Sequence, residues 1–242
     1  MSTPTDYHMS LSYVIINNFE LNPNFYKCPE NFTIDIRTRR PYLGAYFLIT
    51  GVVLLLLYLA CMKAIVRSEQ FKTSAYKIML ILGIYDIPSL FVSSIATGIF
   101  GIQGAQYCEY PLLMFILGAI AFGSWLGCCI TCLLLITHRI SDINPCLHLQ
   151  WMFKGRSMQL LILFMIGTGI YGIFFTKPVV YFAEYSSWFF NPGIGKEPSY
   201  YVNKTQAINN LITPIVLSFL NTYLCSANMG PERLFPALQA QA

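Results

Sequence analysis

Residues 42–62 read YLGAYFLITGVVLLLLYLACM, 21 positions without a charge. A helix needs about 20 apolar residues to cross the hydrocarbon core of a bilayer. Four more windows have the same character: 78–102, 111–137, 158–175 and 207–227, of 25, 27, 18 and 21 residues. Across all five, Asp86 is the single charged side chain. Lipid offers backbone groups no partner, so each run must close its hydrogen bonds internally as a helix. No ten-residue alternation of apolar and polar positions occurs, which excludes a membrane barrel. The expected fold class is an all-α membrane protein, a bundle of about five transmembrane helices. The fourth window is the shortest, and it carries Gly167, Gly169 and Gly172.

Composition agrees. Of 242 residues, 55% are apolar, 15% aromatic and 11% charged, against about 25% charged in a soluble domain. That excludes disorder, collagen, coiled coil and a small disulfide-rich secreted scaffold. A dispersed net charge of +4 gives no reason to expect nucleic acid as a partner. Residues 1–41 form a polar tail with no cleavable signal pattern, so the first span is expected to act as the insertion signal. Residues 42–227 make one membrane domain, and 228–242 a short tail. There is no internal repeat.

Orientation is nearly balanced by charge. With the N-terminus outside, inner segments hold eight Lys and Arg, and outer segments seven, including Arg37, Arg39 and Arg40. Two N-x-Ser/Thr acceptors, at Asn31 and Asn203, then both face outward. So do two of the eight cysteines, Cys28 and Cys108, which an oxidising exterior would pair. Two free thiols in unrelated loops are the other reading. The expected arrangement is N-terminus out and C-terminus in.

Asp86 lies nine residues into the second span, about 13 Å along the helix axis. A carboxylate at that depth must turn into the bundle and find a donor or cation. It is either an ion-binding or switch residue, or a hydrogen-bonded packing group near the bend at Pro88. Aspartyl protease chemistry needs a second facing carboxylate, and no span holds one. His8, His138 and His148 fall in loops with no zinc spacing, and no span carries a histidine to act as base for Ser124. No cofactor is expected, and no enzyme activity. Cys128, Cys129 and Cys132 read as small packing residues, together with Gly123-x-x-x-Gly127 and Ser94-x-x-x-Gly98. Cys61 and Cys146 are candidates for acylation at the inner face.

Arg139 stands where the third apolar run stops. It is either a headgroup anchor or a lock at the inner mouth. The outer loop 176–206 is rich in aromatics, among them Tyr185, Trp188 and Phe189. They form an interfacial belt, a lid over a pocket for a small apolar ligand, or both. Pro214 marks a bend in the fifth span.

Several ordered stretches together resemble the nematode serpentine chemoreceptors of class T, a branch of the seven-helix G-protein-coupled receptors. They are Tyr26-Lys-Cys28, YKIMLILGIYD at 76–86, TGIFGIQG at 97–104, YCEYP at 107–111, Thr176-Lys-Pro178 and SWFFNP at 187–192. The resemblance spans about residues 26–225. It implies a receptor for a small odorant or pheromone in the plasma membrane of a sensory-neuron cilium, coupled to a heterotrimeric G protein. By the same resemblance Arg139 takes the place of the Arg of an Asp-Arg-Tyr motif, flanked here by His138 and Ile140. Cys108 matches the cysteine that opens the third helix, with Cys28 as its candidate mate. Asp86 matches the second-helix Asp, and Pro214 the fifth-helix Pro. Nothing after Ala227 reads as a sixth or seventh helix, so a truncated receptor is expected, unable to signal alone. The alternatives are a transporter or channel subunit, or a non-signalling partner that forms homo- or hetero-oligomers with intact receptors through Gly123 and Gly127.

Overall fold

The computed structural model describes residues 4–29 and 38–228. Asn31, Arg37 and the tail past residue 228 lie outside the described residues. Five long helices carry the apolar windows: α1 (Pro41–Arg67), α2 (Ser74–Gln103), α3 (Pro111–Ile143), α4 (Gly155–Phe175) and α5 (Lys204–Asn228). Pro41 and Pro111 each sit in the first turn of their helix, where a missing N–H costs nothing. α2 ends at Gly104 in the left-handed region, φ 66°.

α3 is the axis of the bundle. Its most apolar stretch is 44% buried, against 6% for α1 and for α5. The latter two turn their Leu, Ile and Phe side chains outward, where lipid receives them without a hydrophobic penalty.

Small residues set the closest approaches. A methyl group on Gly44 of α1 would lie 2.6 Å from the Gly98 carbonyl of α2, and one on Gly51 would lie 2.6 Å from Ser94 Oγ. Ser94 donates its hydroxyl to the Phe47 carbonyl at 2.7 Å, tying the same two helices. On α3, Gly123 faces the Gly169 carbonyl and Ile173 of α4, and Gly127 lies under the Tyr85 ring. Tyr85 crosses over it to donate to the Met165 carbonyl at 2.7 Å. Gly123 and Gly127 are buried inside the protomer. The surface expected to meet a partner chain packs here against α2 and α4 of the same bundle.

α2 is not uniform. Residues Phe91–Ala96 form a π turn, an insertion of one residue that is frequent at functional sites. Thr97 Oγ1 donates to the Val92 carbonyl at 2.9 Å, five residues back.

The loop between α4 and α5 folds as an antiparallel hairpin, β1 (Val180–Phe182) and β2 (Ser187–Phe189), with Tyr181 opposite Trp188. The N-terminal segment lies against α3 and α4 at the same end of the bundle as this hairpin, termed the outer end, with the opposite end termed inner. Met9, Val14 and Tyr26 are almost fully buried, and Ser12 donates to the Phe174 carbonyl at 2.6 Å. Tyr201 donates to the Phe25 carbonyl, and Lys177 pairs with Asp6 at 2.8 Å.

Candidate functional site

The hairpin sorts its aromatic residues into two sets. Trp188 turns inward, donates its indole N–H to Thr97 Oγ1 at 2.8 Å and packs on Tyr181 and Phe100. Tyr185 and Phe189 turn outward, 63% and 43% exposed, and cluster with Phe182. The three aromatics expected to act together are therefore divided. Trp188 turns toward the bundle, while Tyr185 and Phe189 are exposed.

Beneath the hairpin lies a cavity of about 410 Å³. Ser89 and Ser93 of α2 form one wall, Phe122 and Trp125 of α3 the floor, and Trp188 and Phe190 the roof. Phe122 meets Trp125 at 5.5 Å and Phe190 edge-on at 5.4 Å between ring centroids. Among the described residues, no ionisable side chain lines it. The size and aromatic lining suit a small, mostly apolar molecule.

Asp86 lies below this cavity in a groove between α1 and α2, bordered by Tyr58, Ser89 and Ser93. Its carboxylate accepts the Tyr58 hydroxyl from α1 and the Cys128 thiol from α3, the latter at 3.4 Å. One acidic group thus links three helices. Arg139 is exposed at the inner end of α3, whereas His138 is buried, 3.1 Å from Asp142 and edge-on to Phe153 at 4.7 Å.

At the outer end, Cys28 and Cys108 lie at disulfide distance with Cα atoms 5.8 Å apart. Around them, burial pushes the phenols of Tyr26 and Tyr107 above their ordinary value and that of Tyr201 up to about 12. Asn203 is 5% exposed. Its side chain donates to the Lys177 carbonyl at 3.1 Å and accepts from the Gln206 backbone N–H at 3.1 Å, capping α5. The acceptor expected at Asn203 is thus a buried side chain engaged by its neighbours in this structure. The triplet Asn203-Lys-Thr205 works as a helix cap.

Sequence reasoning missed Ser89 and Ser93 as wall residues and Thr97 as the acceptor that holds Trp188. The spacing Asp86, Ser89, Ser93 along one face of α2 was the available signal.

A family model described as serpentine type 7TM GPCR chemoreceptor Srt matches residues 9–233. The chain belongs to this family. It is a receptor family, and its members are multi-pass membrane proteins. A relative named serpentine receptor class T-55, from Caenorhabditis elegans, is 27% identical over 154 residues. The match takes in 62% of this Srt chain and 41% of the relative, so the chain matches less than half of that relative's length.

Proposed function

We propose that this Srt chain forms the ligand-recognising part of a chemosensory receptor, and that its ligand occupies the cavity beneath the hairpin. The supporting observation is the aromatic lining by Phe122, Trp125, Trp188 and Phe190, with Trp188 held in place by Thr97. In this reading Trp188 contacts ligand, and Tyr185 and Phe189 anchor the hairpin at the interface. Asp86 is the polar link through which α1, α2 and α3 change position together. Exposed Arg139 belongs to the inner surface that a heterotrimeric G protein meets in a complete receptor. The N-terminus lies outside at the plasma membrane, a ciliary one by resemblance, because this puts Cys28 and Cys108 in an oxidising compartment.

Filling the cavity tests the reading. Ala121→Trp, on the cavity wall, should abolish saturable quenching of tryptophan emission by small aromatic odorants in bilayer nanodiscs. Unchanged quenching would refute it. Topology is tested by glycosidase treatment: a glycan is expected on Asn31 and none on Asn203.

A further inference from the structure

At the inner end, the connection between α3 and α4 presents an indole to the outside. Residues Leu149–Phe153 form a short 3₁₀ turn, closed by the Lys154 backbone N–H on the Trp151 carbonyl at 3.4 Å. Phe153 anchors the turn. Its ring is buried edge-on to His138 at 4.7 Å, and its carbonyl accepts from Ser74 of α2 at 2.6 Å. Two positions before that anchor, Trp151 is 66% exposed. Ordered backbone therefore holds the indole outward. An indole is best placed at a water–lipid boundary, where its body is out of water and its N–H still finds a partner.

α4 sets the level of that boundary. Arg156, Leu160, Leu163 and Phe164 follow the spacing i, i+4, i+7, i+8 of one helix face, and all four are exposed. Leu160 stands about 6 Å along the axis from Arg156, so the outward stripe turns from apolar to cationic within about one turn. A long basic side chain at such a limit reaches the headgroups. Lys154 lies two positions away and donates to Gln150 Oε1 at 3.4 Å. Among the described residues, neither Lys154 nor Arg156 is in an ion pair.

The field around them has one sign. The described residues of the inner end include four Lys and Arg at 63–77 and three at 139–156, against two acids, Glu69 and Asp142. Asp142 stands 3.1 Å from His138. At the outer end six cations meet five acids. The excess is thus five positive charges at one end and one at the other. A zwitterionic headgroup cancels its own phosphate, whereas a net-anionic one answers this excess. An acidic protein would answer the charge but not the apolar stripe that continues from Arg156. We infer that Trp151, Lys154 and Arg156 form a seat for an anionic phospholipid, with the two cations on its headgroup and the indole beside them at the boundary. This seat is independent of the cavity beneath the hairpin.

The test uses the whole chain in nanodiscs of phosphatidylcholine containing a minor fraction of phosphatidylserine. Either lipid in turn carries brominated chains, which quench nearby indoles, and subtracting the signal of Trp151→Phe isolates Trp151. Brominated phosphatidylserine should quench Trp151 more than brominated phosphatidylcholine at the same mole fraction. Each cation should contribute about fivefold to that preference. Lys154→Gln or Arg156→Gln should therefore lower it about fivefold, the double variant should abolish it, and Arg156→Lys should keep it. High salt should weaken it. Both positions are exposed, so thermal midpoints should stay at the parent value. Equal quenching by the two brominated lipids would overturn the inference, as would a preference that survives the double variant. Quenching of Trp151 by aqueous iodide but by neither lipid would overturn it too, and would assign this surface to a water-soluble acidic partner.

Discussion

At the outer end of the bundle, Tyr26, Tyr181 and Tyr201 are at most 2% exposed, and their neighbours come from distant parts of the chain. Cys28 meets Cys108 across 80 positions, Ser12 reaches Phe174 across 162, and Tyr201 reaches Phe25 across 176. At the inner end the buried cluster is smaller, centred on Ile78, Phe153 and Met165. Its long-range ties include the bond from Ser74 to the Phe153 carbonyl at 2.6 Å and that from Asn144 to Tyr223 at 2.9 Å. The contrast assigns the two ends different mechanical roles. An end closed by non-local packing holds its shape. An end held by a few hydrogen bonds can shift at small cost.

Removing the centre of the outer packing should have the largest effect. Tyr26→Ala takes a ring away from Phe115 and Tyr201 and should cost about 3–5 kcal/mol, read as an earlier midpoint on dodecyl sulfate titration. The double variant Cys28→Ser, Cys108→Ser comes next, at about 2–4 kcal/mol, measured in the same way. Should either lose no more than an inner-end variant, the two ends would not differ as described.

Alkaline pH discriminates between them without mutation. Tyr26, Tyr107 and Tyr201 keep their protons in the folded cap above the pH at which a free phenol, with pKa about 10, ionises. Below about pH 10 both states are protonated and the cap's contribution is complete. From there to about 12, the pKa of folded Tyr201, the unfolded chain binds fewer protons and stability declines. Tyr201→Phe should blunt that decline in denaturation midpoints measured from pH 9 to 12. The smallest effect belongs to the inner end. Ser74→Ala removes one hydrogen bond and should cost about 1 kcal/mol, with faster amide exchange around Phe153 and none added around Tyr26.

The five spans were legible because hydrocarbon imposes one rule on every segment that enters it. The helix ends were not: α3 continues to Ile143, past Arg139, and α5 begins at Lys204. Caps and interfacial side chains set those limits, as Asn203 does for α5. That Asp86 needs donors followed from its depth, but no spacing rule pointed to Tyr58 from α1. The hairpin escaped notice because three-residue strands are too short to display an alternating pattern. Its division of Trp188 from Tyr185 and Phe189 depends on pairing register, which composition does not encode. Ser89 was hidden by a different cause. A serine in a span is unremarkable until the cavity it borders is known.

The π turn of α2 has a consequence for how this protein tolerates insertions and deletions. One surplus residue there offsets the inner half of α2 by about 100° around its axis relative to an unbroken α-helix. Excising a single position from 91–96 would erase the offset and swing the acidic side chain from Tyr58 toward a different neighbour. The length of that short stretch, more than its chemistry, decides which helix the half-buried carboxylate greets.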